Sequence, residues 1–146
     1  MIDVKDLMVG NFVKTPIGVV EVYNIINDAI IADTRDICYA KGLDGIEVTK
    51  EILKKMGFEE YEDLPLERNC YRYWDKDRRY KLEVCDDEDW CNSDRKLTLF
   101  VDNSHCMGIG SAEFTYVHEL QNLVRINCKA DLPITKEVFD GVGNGA

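Results

Sequence analysis

Histidine and proline are scarce in this chain, at two and three among 146 residues, and its 18 Lys and Arg are outnumbered by 28 Asp and Glu. Two histidines leave little material for imidazole acid–base chemistry. A formal net charge of −10 argues against nucleic-acid binding through general phosphate attraction, which needs clustered cations. The first residues, Met1-Ile2-Asp3-Val4-Lys5-Asp6, lack the basic and apolar stretches of a secretory signal. Long hydrophobic runs are absent as well. Those at 17–20 and 29–32 are strand-sized, far below the roughly 18 apolar residues that a membrane-crossing helix needs. These absences lead to the expectation of a cytosolic protein that does not enter a membrane.

What is present suits a packed domain. The hydrophobic fraction is 45%, with two Trp, seven Tyr and five Phe, and a chain of this length buries roughly 70% of its unfolded surface. It needs no metal or disulfide staple. Cys38, Cys70, Cys85, Cys91, Cys106 and Cys128 are therefore read as thiols, small enough to be buried.

The pattern along the chain predicts an α+β fold. Residues 1–47 read as short strands joined by the turns Gly10-Asn11 and Pro16-Ile17-Gly18, the spacing of a small SH3-like curled sheet. A short helix follows, capped by Thr49 and closed by Gly57, with Ile52, Leu53 and Met56 inward. Glu59-Glu60-Tyr61-Glu62-Asp63 reads as an acidic loop. An antiparallel meander is then expected, pairing Tyr71 and Tyr73 with Leu82 and Val84 across a turn at 75–78, with Leu97, Leu99 and Val101 on one face of a later strand. The acidic run at 86–89 reads as a hairpin loop and Gly108-Ile109-Gly110-Ser111 as a turn. A C-terminal helix is predicted from Tyr116 to Cys128, with Val117, Leu120, Val124 and Cys128 facing the core. Residues 1–140 thus form one domain, 48–140 being helix, meander and helix, and the glycine-rich 141–146 a mobile tail.

Two groups of residues suggest a binding site. His118, Asn122 and Arg125 recur at i, i+4 and i+7, on the helix face opposite the buried stripe and flanked by Glu119 and Gln121. That stripe suits either an anionic ligand or plain solvation. The segment 68–81 interleaves six basic residues with four aromatics in an otherwise acidic chain. There Arg72, Trp74, Arg78 and Arg79 could hold a nucleotide-like or phosphorylated ligand, or simply line a hairpin. Zinc is not expected, because Cys85, Cys91, His105 and Cys106 form no close-spaced knuckle. The acids Asp87, Glu88 and Asp89 lack the pattern of a calcium loop, and the glycines at 108–110 lack the rest of a phosphate fingerprint. No cofactor and no metal are expected.

Three stretches, Leu7-Met8-Val9-Gly10-Asn11-Phe12-Val13, Val48 to Phe58, and Tyr116-Val117-His118-Glu119-Leu120-Gln121-Asn122-Leu123, resemble a family of small proteins of Bacteroides-type gut bacteria, their phages and other mobile elements. Its members read L-x-x-G-N-x-V, then L-T-E-E-x-L-x-x-x-G-F, then Y-V-H-Q-L-Q-N-L. This chain departs from them at Glu119, where Gln is usual, and from Val124 to Leu132, where an aromatic and A-L-T-G-E-E-L usually follow. The resemblance implies an accessory protein of a phage or mobile element acting in the bacterial host cytoplasm, and it brings no catalytic residue with it. It draws attention to His118, Gln121 and Asn122. The expected function is non-enzymatic: holding a host protein or a small anionic ligand, with the countering of host defence as the role that the resemblance suggests. Two alternatives stay open at this point: an enzyme using His118 as acid–base group beside Arg72, Arg78 or Arg79, and a self-associating structural component.

Overall fold

The computed structural model describes residues 2–63, 68–77, 79–85, 97–103 and 106–141. The first sheet is an antiparallel meander of β1 (Phe12–Thr15), β2 (Gly18–Ile26), β3 (Ala29–Ala32) and β4 (Ile37–Tyr39). Short strands and tight turns curl it into half a barrel around Val13, Val20, Val22, Ile30 and Leu43, all buried. Single 3-10 turns at Val4–Asp6 and Ala40–Gly42 flank it.

The helix α1 (Lys50–Lys55) starts where the Thr49 Oγ1 accepts the Ile52 N–H at 3.2 Å. It ends because Gly57 turns left-handed at φ +101, which lets the N–H groups of Gly57 and Phe58 donate to the carbonyls of Lys54 and Leu53. Phe58 is thereby folded back into the core beside Leu53.

The second sheet is a five-stranded antiparallel meander of β5 (Glu59–Asp63), β6 (Arg68–Trp74), β7 (Tyr80–Cys85), β8 (Leu97–Asn103) and β9 (Cys106–Phe114). Tyr71 pairs with Val84 and Tyr73 with Leu82, as the alternation predicts. Side chains on a strand alternate between faces. One face therefore presents Tyr71, Tyr73, Leu82, Val84, Leu97, Leu99 and Val101, which pack with Leu53 of α1 and with Leu120 and Val124 of α2 (Val117–Cys128) in the larger core.

Two expectations need correction. Glu59 to Asp63 is an edge strand and not a loop, aligned so that Glu59 lies opposite Arg72 and Asp63 opposite Arg68. Acidic side chains are tolerated at a sheet edge, where they discourage further strand addition. Likewise 108–111 lies within β9, whose ladder with β8 absorbs irregularity between Phe100 and Asn103 without breaking into a turn. The run 86–89 and the tail at 142–146 lie outside the described residues. Among the described residues no helix is long and apolar enough to cross a membrane.

Candidate functional site

The polar stripe of α2 is not on a solvent face. His118 and Gln121 are buried and Asn122 and Arg125 are half-buried, because a second partner, the N-terminal sheet, covers that side of the helix. This corrects the expectation of an open stripe. Its physical cause is a set of backbone groups near the start of β1 that pair with side chains of α2.

Gln121 satisfies two of those groups at once. Its Oε1 accepts the Phe12 N–H at 2.9 Å and its Nε2 donates to the Gly10 carbonyl at 3.1 Å. Asn122 accepts from Asn11 Nδ2 at 2.8 Å and donates to the Asp6 carbonyl at 2.9 Å. The other end of Asn11 accepts the Met8 N–H at 2.8 Å. Arg125 Nη1 donates to the Val9 carbonyl at 2.8 Å, while its Nε pairs with Asp131 at 2.7 Å. Gly10, at φ +96, brings the backbone so near that a Cβ there would lie 2.9 Å from the Arg125 guanidinium. The Gly10-Asn11 and Gln121-Asn122 pairs are thus two halves of one clasp.

His118, at 4% exposure, stacks on the Tyr116 ring with centroids 5.8 Å apart. Its buried Nδ1 has no hydrogen-bond partner among the described residues. Burial pushes the imidazole below its usual pKa, while Glu119 and Asp6 oppose that shift. Tyr116 in turn sits against Gly45, where a Cβ would come within 2.5 Å of the ring. Glu119 Oε1 accepts the N–H groups of Thr115 and Tyr116, closing the first turn of α2.

Of the remaining candidates, Arg72 and Trp74 lie on the other face of the second sheet. Strand alternation and register place Tyr61, Cys70, Cys85 and Thr98 in one row across β5 to β8. The next row holds Glu59, Arg72, Glu83 and Phe100, and a third holds Trp74, Lys81 and Asp102. Arg72 lies 4.4 Å from the Tyr61 ring centroid. Glu83, directly opposite Arg72, is engaged by Lys81 at 2.9 Å and by the Tyr61 hydroxyl. Burial, Glu83 and the two thiols drive the Tyr61 pKa well above its usual value. Among the described residues the buried Nε of Arg72 finds no acceptor. Trp74 and Phe100 are 49% and 38% exposed, and Lys81 sits 5.1 Å from the Trp74 ring.

The structure therefore separates the two predicted groups. Arg72 and Trp74 point away from α2, with the sheet between them and His118, so these groups do not meet in one cleft. Arg79 stands apart from both. Its side chain is 62% exposed and donates to Asp75 at 2.9 Å, and its own N–H donates to the same carboxylate at 3.3 Å. The Arg79 side chain holds the Asp75 carboxyl below the usual carboxylate range. Arg78 lies outside the described residues.

Tyr61, Glu83 and Phe100 complete the face with Lys81 of the basic segment, and nothing in their residue types alone marks these three. The signal for them was the period-two alternation that put Tyr71 and Tyr73 inward, since it puts their neighbours outward. Among the described residues no group of three or more His, Cys, Asp or Glu could hold a metal ion. Cys91, His105, the side chain of Cys106 and the acids Asp87, Glu88 and Asp89 lie outside the described residues. Comparison with protein-family models, curated proteins and solved structures finds no match to this chain.

Proposed function

We propose that the chain is a non-enzymatic binding protein that holds a small anionic, nucleotide-like ligand on the outer face of its second sheet. The observation that carries this is Arg72: a guanidinium shielded by Tyr61, with a buried Nε that has no acceptor among the described residues, set in the sheet that also exposes Trp74 and Phe100. An unmet buried donor costs free energy that an incoming anion would recover. The neighbouring rings offer surfaces on which a planar group can stack. The net charge of −10 favours a small ligand over a nucleic-acid strand, because long-range attraction of a polyanion is missing. The resemblance to accessory proteins of phages and mobile elements agrees with a protein that sequesters a ligand without transforming it.

The test is a titration of the purified chain with a nucleoside monophosphate and, separately, with inorganic phosphate, followed by tryptophan fluorescence. Saturable quenching by the nucleotide is expected. It should weaken at least about tenfold in Arg72→Gln, the loss of a charge-assisted hydrogen bond. It should also weaken in Trp74→Leu and stay unchanged in Asn122→Ala. Binding that survives Arg72→Gln and fails in Asn122→Ala would place the ligand at α2 and defeat the proposal.

A further inference from the structure

Cys70 and Cys85 are direct partners on adjacent antiparallel strands, β6 and β7. Opposed residues of such a pair have Cα atoms about 4.5–5.5 Å apart, inside the range of about 4.4–6.8 Å that a disulfide requires. The side chains use that proximity, since Cys85 Sγ points at Cys70 Sγ across 2.8 Å. Both are buried on the same sheet face as Tyr61 and Arg72. Among the described residues Cys38 and Cys128 have no such neighbour, and burial raises both of their pKa values, that of Cys128 to about 11.

We infer that Cys70 and Cys85 form a reversible redox site, closing to a cross-strand disulfide by exchange with a low-molecular-weight disulfide. In the first step one cysteine thiolate attacks a sulfur of that disulfide, forming a mixed disulfide and expelling one small thiolate. In the second the other cysteine attacks the mixed disulfide and expels the second small thiol. Two protein thiols are oxidised by two electrons and one small disulfide is reduced to two thiols, which take up the two protons. Because both sulfurs are buried, exchange in the folded chain waits on opening of the sheet, whereas a refolding chain meets no such barrier. The bond would pin β6 to β7 within the proposed ligand face, but its existence does not depend on what that face binds.

The full chain, reduced and denatured, is refolded over a series of ratios of reduced to oxidised glutathione, then alkylated and mapped by mass spectrometry. A peptide linking Cys70 to Cys85 is expected to dominate as the mixture becomes oxidising, with Cys38 and Cys128 alkylated. Cys70→Ser should replace it with a glutathione adduct on Cys85. If that variant does not fold, the unmodified chain still decides the matter. The oxidised form should melt about 5–10 °C above the reduced form, as expected for a loop of this length. Alkylation of both residues at every ratio, a dominant link through Cys91 or Cys106, or equal melting temperatures would overturn the inference.

Discussion

Replacing Gln121 by Leu keeps the volume of the side chain and removes both of its hydrogen bonds to the backbone. The Phe12 N–H then loses its acceptor and the Gly10 carbonyl loses the Gln121 donor, at a site from which water is largely shut out. Each buried group left unsatisfied costs about 1–3 kcal/mol. Both together should destabilise the chain by about 2–6 kcal/mol. In a domain of this size 1 kcal/mol corresponds to a change in Tm of about 2–4 °C, so a fall of roughly 4–24 °C is expected. Urea unfolding of the two proteins gives the free energy directly, from the midpoint and slope of each curve. Asn122→Ala, whose site is half-buried, should cost less, because water can replace the lost partner. If Gln121→Leu unfolds within about 0.5 kcal/mol of the parent, the range of an ordinary surface substitution, the clasp is not what joins α2 to the first sheet.

Three further outcomes follow from the same contacts. His118 has a lowered pKa in the folded chain, chiefly through burial. The neutral form is therefore favoured by folding, and the associated stability is present above the unfolded value of about 6.5 and lost as pH falls below it. Thermal melts between pH 7 and 5 should show a steeper loss for the parent than for His118→Gln, by at most about 1.4 kcal/mol per pH unit; parallel profiles would contradict this. Gly45→Ala should destabilise by about 1–3 kcal/mol in the same unfolding assay, since its Cβ would meet the Tyr116 ring at 2.5 Å and the ring stacks on His118. Thr49→Ala should cost about 1 kcal/mol through loss of the Ile52 N–H acceptor.

The parts of the fold legible in sequence are those governed by local signals. Thr49, Gly57 and Phe58 mark both ends of α1 because caps act within a few residues of the chain. Tyr71, Tyr73, Leu82 and Val84 reveal their pairing because a turn of a few residues joins two alternating runs. Glu59 to Asp63 hid its strand, since an edge position needs little hydrophobicity and its partner comes only with β6. The α2 stripe misled for a different reason. A helical wheel shows which residues share a face, but it does not show that Gly10 and Phe12, more than a hundred residues earlier, bring backbone groups that need polar partners. Polar residues on a helix can face a protein interior when the interior itself is polar. The outer-sheet face was half legible: Arg72 and Trp74 stood out by type, while Tyr61, Glu83 and Phe100 join them only through register.

The clasp between the N-terminal sheet and α2 is tested most directly by a double-mutant cycle on Asn11 and Asn122, whose side chains meet at 2.8 Å across 111 residues of sequence. Urea unfolding of Asn11→Ala, Asn122→Ala and the double variant should give a coupling of about 1 kcal/mol. Effects that add to within about 0.3 kcal/mol would contradict a direct link between the two side chains, and with it the assignment of this stripe to holding the fold together.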